Sequence, residues 1–174
     1  MELRVTYENR IPTAEREIEI VERKGLGHPD QICDLIAEAI SVRLASEYEK
    51  RFGTILHYNV DKLFLAAGRS KTRFGGGEVE APITLVFGDR ATSMVGEEKI
   101  DINSIVIDTA REWIRRNLRF LDPEQHVRYQ VEIKPVAENL AEIFRRAKND
   151  ILPANDTSAV IGYAPLTPTE KLVL

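Results

Sequence analysis

The sequence predicts an α/β chain of the two-layer α+β kind, with a sheet packed on helices. Two observations carry that expectation. Apolar residues recur at helical spacing over two long stretches, and short apolar or alternating runs bounded by turn residues lie between and beside them. Composition agrees: 43% of the 174 residues are hydrophobic, enough for roughly one domain that buries about 70% of its unfolded surface.

Taken in order, residues 17–22 (EIEIVE) alternate acid and aliphatic and predict a half-buried strand. KGLGHPD follows, with two glycines to turn the chain and Pro29 suited to a first helical position. Ile32, Ile36, Ile40, Leu44, Tyr48 and Phe52 then recur every fourth residue. They predict an amphipathic helix of about six turns, ended by Gly53. Residues 54–59 and 62–67 read as strands around Val60-Asp61, and residues 68–80 as a glycine-rich, partly basic connection. PITLVF (82–87) reads as a buried strand stopped by Gly88-Asp89. A second helix is expected over 103–120, with Val106, Ala110, Trp113, Ile114 and Leu118 on one face. Val127, Tyr129, Val131 and Ile133 mark a strand over 127–133, and Leu140, Ile143, Phe144 and Ala147 a third, shorter helix. Thr167-Pro168-Thr169-Glu170 is a capping box that announces a helix, with only KLVL after it. One turn cannot be stable alone, because nucleation costs more than so few hydrogen bonds return.

Charge and cysteine content exclude several classes. Twenty-four Lys and Arg against 28 Asp and Glu give a net charge of −4, without the basic excess of a dedicated nucleic-acid binder. Cys33 is the single cysteine, so no internal disulfide forms and a reducing compartment is expected. Neither a membrane-length apolar run nor a signal-peptide core occurs. The expectation is a soluble, cytoplasmic chain without nucleic-acid or membrane partners.

Chemistry can sit at few places. Gly27-His28-Pro29-Asp30 puts an imidazole and a carboxylate at the mouth of the long helix, where unpaired N–H groups and the dipole favour anions. His28 can donate to a phosphate there, and Asp30 can hold Mg²⁺ against it, with Asp34 one turn on. A helix-favouring acid beside a loop histidine explains the same residues. Phe74-Gly75-Gly76-Gly77-Glu78 allows close backbone approach to a ligand and offers a carboxylate for an ammonium; a flexible hairpin loop is the alternative. Asp61 suits a turn or a cation, and Asn155-Asp156-Thr157-Ser158 an Asx-turn. His57 and His126 have no partner at metal-ligand spacing. Trp113 reads as core, and Arg115, Arg116 and Arg119 as a solvated helix face.

Together and in order, VERKGLGHPDQICDLIAEAI, FGTILHYNVD, FGGGEV, GDRAT and ANDTSAVIGYAPLTPTEKLVL resemble the archaeal-type S-adenosylmethionine synthetases (methionine adenosyltransferases) over residues 15–174. The resemblance implies a homodimeric cytoplasmic enzyme of three similar α/β domains, with active sites between subunits. It joins methionine to ATP, uses Mg²⁺ and is stimulated by K⁺. It further implies that His28 is the catalytic histidine beside the leaving triphosphate and that Asp30 is a Mg²⁺ ligand. Asp61 is implied near the monovalent cation, Glu78 at the methionine ammonium with Gly76 and Gly77, and Asp156 in the lining of the same site.

Two departures stand out. The family's GQGS-type loop, whose Gln is expected to contact methionine, reads Lys134-Pro135-Val136-Ala137-Glu138-Asn139-Leu140 here. Family chains are also more than twice as long, and the lysines and arginine that clamp the triphosphate lie in the remainder. The expected organisation is a synthetase-like domain over 1–150 and the start of a next, cut-short domain over 151–174. The functional alternatives are a catalytically incomplete paralogue that dimerises with or regulates a longer synthetase chain, and a nucleotide- or polyphosphate-binding module.

Overall fold

A computed structural model describes residues 3–7, 9–136 and 162–174. The chain divides into two compact units, residues 25–152 and residues 1–24 together with 153–174.

The larger unit is a mixed α/β layer structure. Helix α1 (Pro29–Phe52) buries Ile32, Ile36, Ile40, Leu44 and Tyr48 of the every-fourth ladder, and its last member, Phe52, is partly buried against the same core. Gly53 ends it at φ 68°, a left-handed position that glycine takes without a Cβ penalty. Strands β1 (Tyr58–Asn59), β2 (Leu63–Ala66), β3 (Arg69–Arg73), β4 (Gly76–Ala81), β5 (Ile83–Phe87), β6 (Arg90–Ala91), β7 (Met94–Val95) and β8 (Glu98–Lys99) follow. Helix α2 (Ile102–Asn117) buries Val106, Ala110 and Ile114 and is capped by Asp101, which accepts from Ser104 N–H at 3.1 Å. Strands β9 (Val127–Val131) and β10 (Lys134–Pro135) are the last described elements of the unit.

The central sheet has the order β2-β5-β9, with β2 antiparallel and β9 parallel to β5. A second sheet runs β1-β6-β10, and β3-β4 and β7-β8 are hairpins. One cluster joins α1, α2 and the central sheet through Ile36, Ile40, Leu44, Leu85, Val106 and Ile114. Tyr48 lies wholly inside it and donates its hydroxyl to the Thr92 carbonyl at 2.8 Å; burial pushes that hydroxyl far above the ordinary tyrosine range.

Four expectations need correction. Residues 68–80 are not a loop but the β3-β4 hairpin, in which Arg73 pairs with Gly76 across a Phe74-Gly75 turn. Gly75 adopts φ 77°, which lets the turn close in two residues. The expected 54–59 strand shrinks to Tyr58–Asn59, the pair that meets β6. Residues 17–22 form no strand: Ile18 and Ile20 are exposed, and no described strand supplies the ladder that an alternating pattern needs. Finally, the closing helix does form.

That helix, α3 (Pro168–Val173), belongs to the smaller unit with a short 3₁₀ turn at Thr13–Glu15. Side chains supply what six residues of backbone lack. Thr167 Oγ1 accepts from Glu170 N–H at 3.1 Å, and Glu170 accepts from Thr167 N–H at 2.6 Å. Thr167 also donates to Glu19 at 2.5 Å, and Tyr163 donates to Glu170 at the same distance. Among the described residues no helix is long and apolar enough to cross a membrane. The expected third helix over Leu140–Ala147 lies outside the described residues.

Candidate functional site

The mouth of α1 is built by its own sequence. His28 N–H donates to Gly25 O at 2.9 Å, closing the turn, and Pro29 enters the helix where no N–H is needed. His28 is the N-cap residue, and its Nδ1 accepts from Asp30 N–H at 3.2 Å. An imidazole that accepts at Nδ1 carries its proton on Nε2, so the ring presents a donor away from the helix. The Asp30 carboxylate stands 3.9 Å from Nδ1, and both side chains are well exposed. The site therefore combines backbone N–H groups, an outward imidazole N–H and one hard oxygen ligand.

The β3-β4 hairpin carries the second group of candidates. Glu78 faces Lys71 in register, Gly77 faces Thr72 and Gly76 faces Arg73. A Cβ on Gly77 would lie 2.9 Å from the Lys71 carbonyl oxygen, so this position needs glycine for backbone packing alone. Gly76 has open space, with its nearest neighbour 3.9 Å away. Glu78, Gly76 and Gly77 line a cavity of about 990 Å³. A second cavity, of about 610 Å³ and mostly apolar, is bordered by Gly27 and Pro29, the residues flanking His28. Ser70, Val79, Phe120 and His126 border both cavities. The fold thus brings the α1 mouth and Glu78 to adjoining spaces.

Asp61 lies elsewhere. It lines a cavity of about 460 Å³ with Asp34 and Glu38 of α1. Its carboxylate receives the Lys62 ammonium, which holds the acid below its usual range. Cys33 is half-buried on α1; burial pushes its thiol up, and Asp34 and Asp30 add to the effect. The His57 carbonyl accepts from Thr92 N–H at 3.2 Å and from Thr92 Oγ1 at 2.8 Å, a structural role. Arg115 and Arg116 pair with Glu124 and Glu112, and Trp113 packs against the core. Asp156 and its neighbours lie outside the described residues, as do Ala137–Leu140. Lys134-Pro135 forms β10 beside β6. Among the described residues no three His, Cys, Asp or Glu side chains cluster to hold a metal.

His126 and Phe120 went unread as site residues in the sequence. The available signal was the spacing Asp122-x-x-x-His126 after a helix: Asp122 Oδ1 accepts from Glu124 and Gln125 N–H at 2.8 and 3.0 Å. Its own N–H donates to His126 Nδ1 at 3.0 Å. Phe120 is largely exposed, with the Arg119 guanidinium 4.2 Å over its ring.

The family model for S-adenosylmethionine synthetase (AdoMet synthetase) matches residues 1–174. The chain belongs to the S-adenosylmethionine synthetase family. An S-adenosylmethionine synthase of Methanothrix thermoacetophila is 44% identical over 171 residues, which are 98% of this chain and 43% of that protein. An S-adenosylmethionine synthase of Pyrobaculum neutrophilum is 46% identical over 169 residues, 95% of this chain and 42% of its own length. A probable S-adenosylmethionine synthase of Aquifex aeolicus is 45% identical over 164 residues. The chain thus spans about two-fifths of the curated synthetases it matches, and within this family it carries the GHPD helix mouth and the FGGGEV hairpin.

Proposed function

We propose that this chain carries part of a methionine adenosyltransferase centre in the cytoplasm, one that forms S-adenosylmethionine from ATP and methionine. The supporting observation is the α1 mouth, where a family-matched His28 caps the helix through Nδ1 and leaves Nε2–H outward. In this reading the methionine sulfur attacks the ribose C5′, the C5′–O bond breaks, and triphosphate leaves, to be cleaved to pyrophosphate and phosphate. Sulfur has no proton to lose, so the protein must align S with C5′ and stabilise the leaving anion. His28 supplies a hydrogen bond to that anion, alongside the α1 N–H groups. Glu78 holds the methionine ammonium, with Gly76 and Gly77 allowing approach.

One carboxylate at a phosphate site suits Mg²⁺, which keeps several waters and takes substrate phosphates as ligands. Asp30 would hold it, and the ion would neutralise charge on the leaving group. For K⁺ the proposed ligand is Asp61, whose Lys62 ammonium would have to move aside.

The test is incubation of the chain with ATP, methionine, Mg²⁺ and K⁺. S-adenosylmethionine above a His28→Ala control supports the reading, and none above it refutes catalysis by this chain alone. A second reading, a dimerising or regulatory partner of a longer synthetase, is favoured by Lys134-Pro135 sitting in a sheet where the family carries its GQGS-type loop. Light scattering of the chain alone and mixed with a longer synthetase tests it; a monomer that ignores the longer enzyme counts against it.

A further inference from the structure

We infer that His126 is a binding residue for the carboxylate of the amino-acid substrate, the partner of Glu78 in holding a zwitterion; this rests on the functional reading above. The geometry begins with the loop before β9. Asp122 folds it into a closed turn and its N–H occupies His126 Nδ1 at 3.0 Å, while the His126 carbonyl accepts from Ile83 N–H at 3.0 Å. Backbone and ring are therefore both fixed, and the proton of the neutral imidazole sits on Nε2. Nε2–H is the ring's remaining polar group, and the ring borders the cavity that Glu78 also lines.

An α-amino acid presents a cation and an anion on one carbon, so its site needs an acceptor and a donor in the same space. Glu78 comes from the hairpin; Lys71 stands directly opposite it in register, on that same wall. His126 comes from a different wall. Val79 and Phe120, which border the same space, offer apolar surface for an unbranched thioether side chain.

Isothermal titration of the 174-residue chain with methionine and with its decarboxylated analogue, 3-(methylsulfanyl)propylamine, tests the assignment. His126→Asn keeps an oxygen to accept from Asp122 N–H but removes the Nε2 donor. His126→Gln returns an amide N–H near the Nε2 position. Loss of a hydrogen bond to a charged group predicts about tenfold weaker methionine binding in His126→Asn, no more than about twofold in His126→Gln, and an unchanged affinity for the amine. Unchanged methionine affinity in His126→Asn, or equal losses for both ligands, overturns the inference. Heat from Mg²⁺–ATP but none from methionine overturns it and leaves the nucleotide half of the functional reading standing. Absence of both overturns the two together.

Discussion

The three glycines of the β3-β4 hairpin have three different reasons to be glycine, and alanine substitution separates them. Gly75 sits at φ 77°, where a Cβ meets the carbonyl, so Gly75→Ala costs about 1–2 kcal/mol. At Gly77 a Cβ would lie 2.9 Å from the Lys71 carbonyl oxygen, about half an ångström inside ordinary contact. That oxygen belongs to the paired strand and cannot rotate away, so Gly77→Ala must shift the ladder, at about 1–3 kcal/mol. Gly76 has its nearest neighbour 3.9 Å away, and alanine there is neutral or stabilising by up to about 0.5 kcal/mol, since glycine in a strand carries an entropic cost. The β3 strand is exposed throughout, so the hairpin can open without global unfolding. Hydrogen exchange of the β3 and β4 amides is therefore the assay. Protection falls about fivefold or more in Gly75→Ala and Gly77→Ala and holds in Gly76→Ala. Equal loss in Gly76→Ala and Gly77→Ala would refute the steric argument.

Other consequences follow from the core and its caps. Tyr48→Phe leaves the Thr92 carbonyl unpaired inside the protein and costs about 1–3 kcal/mol, read as a lower urea midpoint with unchanged slope. Burial raises the hydroxyls of Tyr48 and Tyr129, the latter to about 12. The stability they add is complete below the ordinary tyrosine pKa, about 10, and is lost as pH rises beyond it; phenolate absorbance of the folded chain lags that of the unfolded chain. Asp101 and Asp122 are held low by hydrogen bonds, from Ser104 and from the Glu124 and Gln125 amides. Their contribution is present above the ordinary carboxylate range and lost as pH falls through their lowered values, so Asp101→Asn flattens the acid limb of a Tm-against-pH curve. Ile40→Ala, at a wholly buried α1 position, lowers stability by about 2–5 kcal/mol in the same urea assay.

Legibility tracked burial. The every-fourth ladder of α1 and the alternation of β9 were readable because each apolar residue records a contact with the core. The β3-β4 hairpin was not, because both its strands are exposed and leave no apolar pattern; its turn alone was visible. EIEIVE shows the converse, an alternation whose ladder partner is not among the described residues. For α3 the box was legible and its consequence was not, since the bond from Thr167 to Glu19 spans 148 residues. The site divides the same way. His28 and Asp30 declare themselves by local cap chemistry. His126 becomes visible only when folding sets its loop beside the hairpin.

The central claim is that His28 Nε2–H serves the leaving polyphosphate. His28→Asn keeps an acceptor for Asp30 N–H, and so the cap, while removing that donor. Titration of Mg²⁺–tripolyphosphate into the wild-type and His28→Asn chains measures the difference directly. The account predicts binding that weakens about tenfold or more in the variant while the melting temperature holds. Equal affinities for the two chains would contradict it.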